Sequence, residues 1–238
     1  MNDKSSIKWV KDHFDEIHKE TLEAISEEDT VSWLVHGDTC NDVFGAIADA
    51  TEFQESGSSM IVMRLFELQN SLLWLQLSAV YGVYRPLIRE LRFFLESFAQ
   101  AHIIDKEMSG KIMEERYDYL EKHEFNLFGK NLITQLDTQE QEEFKKLYYH
   151  LSKYEHSSPL ELYRTVKRGI VEERFVYYFD KEMFNNCSLL TTSVLDWSFY
   201  FSLKTYPNAI QILKSKENLE YWFRKLQYKR TMKLMGIS

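Results

Sequence analysis

Arg89, Arg92 and Glu96 lie within two turns of a segment, Arg85 to Ile104, whose other residues are mostly apolar. At about 100° per residue, a helix over this segment places the three within about 60° of one another on its circumference. They fall opposite a stripe of Leu87, Leu91, Phe94, Leu95 and Phe98. A helix that is apolar nearly all round belongs in the middle of a bundle, and charges carried there need partners. Two guanidinium groups beside a carboxylate can hold a phosphate or another developing negative charge. The same residues equally make a salt-bridged strip against a neighbouring helix, with Arg92 and Glu96 spaced i,i+4.

A second constellation is the run Tyr148-Tyr-His-Leu-Ser-Lys-Tyr-Glu-His-Ser-Ser158. On a helix, Tyr149, Ser152 and His156 project from one side, beside a core stripe of Phe144, Leu147, Tyr148 and Leu151. An imidazole at that helix end can act as acid, base or anion ligand. It can also do no more than cap the last carbonyls. Near the C-terminus, Leu219, Trp222, Phe223 and Leu226 form an apolar face, while Arg224, Lys225, Lys229, Arg230 and Lys233 fill the remainder. Bases interleaved with Tyr221, Trp222 and Tyr228 can stack on single-stranded RNA or snorkel over a hydrophobic interface.

Other chemistries lack their residues. There is no glycine-rich phosphate loop, no His-Glu-x-x-His, no Cys-x-x-Cys and no Gly-x-Ser-x-Gly. Glu114-Glu115-x-x-Asp118 approximates half of a helical magnesium site, but no matching Glu-x-x-Asp follows. Cys40 and Cys187 are too few and too far apart for a disulfide framework or zinc site. We therefore expect no metal and no cofactor. The longest uncharged run, Leu68 to Tyr84, is short and contains Gln69, Asn70, Ser71, Gln76 and Ser78, so no membrane span is expected. The first residues lack the pattern of a signal peptide, and a cytoplasmic protein is the expectation.

Net charge is −8, unevenly spread: residues 1–60 carry fourteen acids and four bases, whereas residues 214–238 carry seven bases and two acids. The two ends are expected to attract one another within the fold or across an oligomer, with nucleic-acid binding by the basic tail as the alternative.

With only three prolines and eight glycines in 238 residues, long helices are favoured over a turn-rich β fold. Apolar spacing predicts a helix over 6–25, ended by the polar Glu27 to Asp29. Gly37 and Gly45 leave 30–54 as one broken helix or two short ones. Ser58 or Ser59 suits the N-cap of a helix from Met60 to Tyr81, with Gly82 at its end and Pro86 in the first turn of the next. A more polar helix is expected from Ser109 to His123, then a loop or short helical turn over 124–136. Asp137-Thr-Gln-Glu140 opens another helix, which stops near His156 before a second start signal at Ser158-Pro-Leu-Glu161. Residues 174–179 read as an extended connector, and helices over 189–204 and 215–233 complete the set.

The pattern Arg-Glu-Leu-Arg-x-x-Leu-Glu over 89–96, followed about 50 residues later by Tyr-x-x-Leu-Ser-x-x-x-His-Ser-Ser over 148–158, resembles a group of prokaryotic helical-bundle proteins of unknown function. That group is distantly similar to the HEPN superfamily, which includes defence and toxin ribonucleases. The resemblance covers about residues 60–160. It implies His156 as acid/base, Arg89 or Arg92 as stabiliser of phosphate charge, and Ser152 and Tyr149 as substrate-positioning groups beside Glu96. It also implies metal-independent RNA cleavage at a site between two protomers. The family's Arg a few positions before its His has no counterpart here, where His150, Leu151 and Ser152 precede His156.

The expected architecture is all-α: a single antiparallel helical bundle over 1–238 with a central hairpin (60–81, 84–105). Its core spans about 58–158, and the C-terminal helices 159–238 pack on it. Two functional readings stay open. One is a HEPN-like, homodimeric protein acting on RNA, with Arg224, Lys225, Lys229 and Arg230 contributing to binding. The other is a non-catalytic protein-interaction or regulatory module.

Overall fold

A computed structural model describes residues 3–51, 59–154 and 178–237, which form eleven α-helices and no β-strand. The first two are α1 (Asp3–Ala24) and α2 (Glu27–Ala50). Between them Ser26 and Asp29 cap reciprocally: Ser26 Oγ accepts the Asp29 N–H at 3.1 Å, and the Ser26 N–H donates to Asp29 Oδ2 at 2.9 Å. Glu27 to Asp29, expected to end α1, are instead the first turn of α2, where the helix dipole favours acids. Gly37 and Gly45 do not interrupt α2, because burial of Trp33, Val35, Cys40, Val43, Ala46 and Ile47 outweighs their weak propensity.

The expected hairpin is present as α3 (Met60–Val80) and α4 (Tyr84–Glu107). Ser59 caps α3 by accepting the Val62 N–H at 3.1 Å. Gly82 closes the turn at φ 68°, with the Val83 N–H donating to the Ser78 carbonyl at 2.7 Å. Only glycine fits there, since a Cβ would collide with the Tyr178 carbonyl as well as strain the backbone. The polar helix α5 (Met113–His123) begins later than Ser109, because Gly110 turns the chain at φ 75°. Two short-range elements follow: α6 (Gly129–Gln135) and α7 (Thr138–Ser152), the latter opened by the expected Asp137–Glu140 pair.

The longest helix, α8 (Lys181–Thr205), makes its largest contact with α4, and that pair is the most extensive helix–helix contact in the described bundle. From Val194 to Leu203 every residue of α8 except Tyr200 is buried, and α4 is similarly enclosed from Phe94 to Ala99. Trp197 and Phe201 of α8 stack at 5.2 Å and meet Phe144 of α7 edge-on. One continuous apolar core runs from Trp33 to Met235.

The single helix expected over 215–233 is two short ones, α10 (Leu219–Lys225) and α11 (Lys229–Met235), preceded by α9 (Ala209–Lys214). Asn218 and Gln227 break it in left-handed conformations, at φ 62° and 59°. The second break drives Tyr228 into the core. There its ring meets Phe199 and Phe223 edge-on, each at 5.3 Å, and its Oη lies 2.5 Å from His36 Nδ1.

Two buried aspartates on the central pair tie in the outer helices. Asp105 of α4 accepts the Met60 and Ile61 N–H groups at 2.9 and 3.0 Å and the Ser59 hydroxyl at 2.8 Å, so it holds the start of α3. Arg116 of α5 pairs with the same carboxylate. Asp196 of α8 does the same for α11, accepting the Arg230 and Thr231 N–H groups at 3.0 and 2.9 Å. Replacing Asp105 with Asn should cost about 3–5 kcal/mol in urea unfolding, because it leaves the Arg116 charge buried without a counter-ion. A loss below about 1 kcal/mol would contradict this role.

Candidate functional site

Arg92 and Glu96 come together where α4 meets α7. Arg92 Nη2 donates to the Tyr148 hydroxyl at 2.6 Å, and its guanidinium carbon lies 4.7 Å from that ring's centroid. The Glu96 carboxylate is 3.7 Å from Arg92 Nη2. Its Oε1 is buried with no hydrogen bond among the described residues. Burial, then the neighbouring Glu96 charge, pushes the Tyr148 phenol above its ordinary range. Ser152 is one turn on, but its hydroxyl donates to the Tyr148 carbonyl at 2.7 Å, which commits its proton within α7. Arg89 and Tyr149 are exposed. His156 lies outside the described residues, as do the expected helix start at Ser158 and residues 174–177 of the connector. Of the sequence-derived residues, then, Arg92, Glu96 and Ser152 gather around Tyr148, while Arg89 and Tyr149 face solvent. Tyr148, read in the sequence as a core residue, is the group that joins them.

The basic C-terminal residues are mostly engaged inside the fold. Arg224 pairs with Glu220 at 2.7 Å, and Lys225 with Glu28 at 3.3 Å while lying near the Trp222 ring. Arg230 sits 4.2 Å over the Trp197 ring, 3.3 Å from Asp196, and also pairs with Glu143. Lys229 and Lys233 are exposed. Lys225–Glu28 and Lys216–Asp42, the latter at 3.8 Å, join the basic end to the acidic α2, so the charge asymmetry is met within the fold.

A richer titratable cluster, not among the candidates from the sequence, lies where α4, α7 and α8 converge. Glu140, seen in the sequence only as a capping acid, is buried; it accepts the Asp137 N–H at 3.2 Å and the Tyr200 hydroxyl at 2.6 Å, and pairs with Lys204. Lys204 also reaches Asp137 at 2.7 Å. Burial, reinforced by the bond to Glu140, pushes Tyr200 up to about 12. Burial pulls Lys204 down, but its bonds to Asp137 and Glu140 outweigh that and raise it. His102 stands beside this network, stacked 5.3 Å from Phe201. Burial first, then the Lys204 charge, lowers it to about 4. The available signal was the i,i+4 spacing of His102 with Lys106 and of Tyr200 with Lys204.

Among the described residues no cluster of His, Cys, Asp and Glu could hold a metal ion, and no helix is long and apolar enough to cross a membrane. No family model, curated protein or solved structure matches the chain.

Two measurements test these assignments. Arg92→Met should destabilise by about 3 kcal/mol, because it strands the Glu96 carboxylate, whereas adding Glu96→Leu should recover most of that loss. A double variant less stable than the single would refute the pairing. The second measurement is pH dependence. His102 and His36, the latter lowered to about 3 by burial, bind protons more weakly folded than unfolded. Their contribution to stability is therefore complete above about pH 6.5 and is lost as pH falls from there toward 4, by about 1.4 kcal/mol per unit for each histidine. Denaturation midpoints that stay level between about pH 7 and 5 would contradict it.

Proposed function

We propose that the protein is a non-catalytic interaction module that docks as a two-fold dimer through the outer face of α3. One observation carries this reading: Met63, Phe66, Leu73, Trp74 and Leu77 are 40–64% exposed on the face of α3 opposite its buried stripe. Met63, Phe66, Asn70, Leu73 and Leu77 recur in alternating steps of three and four residues, the spacing of a helix-pairing seam, with Trp74 beside Leu73. Five half-exposed large side chains present on the order of 500 Å² of apolar surface, at the upper end of what a monomer carries. Doubled across a two-fold axis, that reaches on the order of 1,000 Å², the lower bound of a specific interface.

The order of residues favours a second copy as the occupant. Antiparallel pairing centred on Asn70 sets Met63 against Leu77 and Phe66 against Trp74, with Asn70 opposite itself. Such a self-complementary patch is what an isologous contact needs. Asn70 is exposed, and a polar residue in the middle of an apolar seam fixes register. The RNA-directed reading has less support, because Arg92, Arg224, Lys225 and Arg230 already hold intramolecular partners and the Ser152 proton is committed.

Sedimentation of the full chain should show a dimer in the micromolar range. Trp74→Glu or Leu73→Glu should yield a monomer with unchanged helical circular dichroism, since both side chains face outward. A wild-type chain that remains monomeric at high micromolar concentration would refute the reading.

A further inference from the structure

A cleft of about 270 Å³ opens at the C-terminal end of the apolar face of α3. Trp74 and Leu77, two of the exposed residues on that face, border it together with Tyr81, Val83 and Phe14 of α1. Phe14 meets Tyr81 edge-on at 5.6 Å, and Thr21 Oγ1 lies 2.7 Å from the Val80 carbonyl, so α1 is fixed against the end of α3. Lys11 and Asp15 are the charged residues at the cleft, and both are exposed. Walls made of three rings, a leucine and a valine offer water few hydrogen-bond partners. An apolar side chain displaces such water favourably.

The antiparallel pairing inferred for α3 decides what stands over this cleft. With Asn70 opposite itself, Met63 of the second copy falls against Leu77, and Phe66 of the second copy against Trp74. Met63 is 45% exposed. Its side chain is unbranched and flexible, which suits it to an irregular space, and its thioether is attracted to the edges of aromatic rings. The two-fold axis repeats the cleft at the other end of the seam, so the two methionines are placed alike.

Resting on the dimer reading, we propose that this cleft is the socket for Met63 of a second copy, so that the interface extends from α3 onto α1. The socket adds Phe14 and Tyr81 of each chain to a contact that α3 alone brings only to the lower bound of a specific interface. It also gives the pairing a second constraint on register, because a slip of one helical turn carries Met63 away from Leu77 and the cleft.

The test uses the full chain, isotope-labelled at its methionine methyls for nuclear magnetic resonance. Met63→Leu removes one resonance and so assigns it. That methyl should shift as rising concentration drives dimerisation, because ring currents from Phe14, Trp74 and Tyr81 then act on it. Sedimentation supplies the dissociation constant. Met63→Ala, at an exposed position, should raise it at least about tenfold. In a Phe14→Ala background the same change should raise it less than about threefold, because the socket is already lost. Buried Ile17 and the Thr21 contact keep α1 in place in Phe14→Ala, which unchanged helical circular dichroism verifies. In a chain that dimerises, a Met63 methyl that does not shift, or a Met63→Ala effect that is the same with and without the Phe14 ring, overturns the socket and leaves the dimer reading standing. Weakening by Phe14→Ala but not by Met63→Ala assigns the cleft to another segment and also overturns it. A chain that stays monomeric refutes the dimer reading, and the socket with it.

Discussion

The packing of α4 against α8 is the constraint on which the rest of the molecule depends. Each of these helices is enclosed over its central turns, so neither can be held by surface contacts. Burial of large apolar side chains binds the two together at roughly 1.5–3 kcal/mol for each Leu or Phe. That burial is non-directional and does not by itself fix where neighbours start. Asp105 and Asp196 supply the direction. Each carboxylate leaves the central pair and meets the free N–H groups at the beginning of another helix, α3 in one case and α11 in the other. A carboxylate there answers both the unmet donors and the positive end of the helix dipole. The cores of the two arrangements are alike, although one closes with Arg116 and the other with Arg230.

Charge is spent in the same way across the molecule. Arg92 meets Tyr148 and Glu96, Lys204 meets Glu140 and Asp137, and the basic end meets α2. Buried groups held by two or three partners are poor acids, bases or nucleophiles, because moving their protons breaks a satisfied network. One feature stands outside this pattern: the outer face of α3 is apolar where solvent would favour polar residues. Asp105 bears on it physically, because its carboxylate fixes the start of α3.

Fold class and the central hairpin were legible in the sequence, because Ser59, Gly82 and the Asp137–Glu140 pair act through local geometry that survives any tertiary context. The apolar residues of 84–107 marked a buried helix for the same reason. Long-range choices were not legible. The break at Gln227 places Tyr228 against His36, which is 192 positions away and beyond any local pattern. The role of Asp105 depends on Met60, 45 positions earlier. In the site, the Arg92–Glu96 spacing was readable, but Tyr148 as their common partner needed the placement of α7 on α4. The His102 cluster escaped because its members lie on three helices, and no single spacing joins Glu140 to Lys204.

We propose that α3 presents its apolar outer face to the same face of a second chain, with Asn70 on the axis between them. Disulfide trapping of Asn70→Cys tests this most directly, since Cys40 and Cys187 are buried and leave the introduced thiol as the accessible one among the described residues. Mild oxidation should convert the variant to a covalent dimer, whereas a thiol placed at exposed Lys153, at the end of α7, should stay monomeric. Failure of Asn70→Cys to cross-link, or equal cross-linking at both positions, would contradict the account.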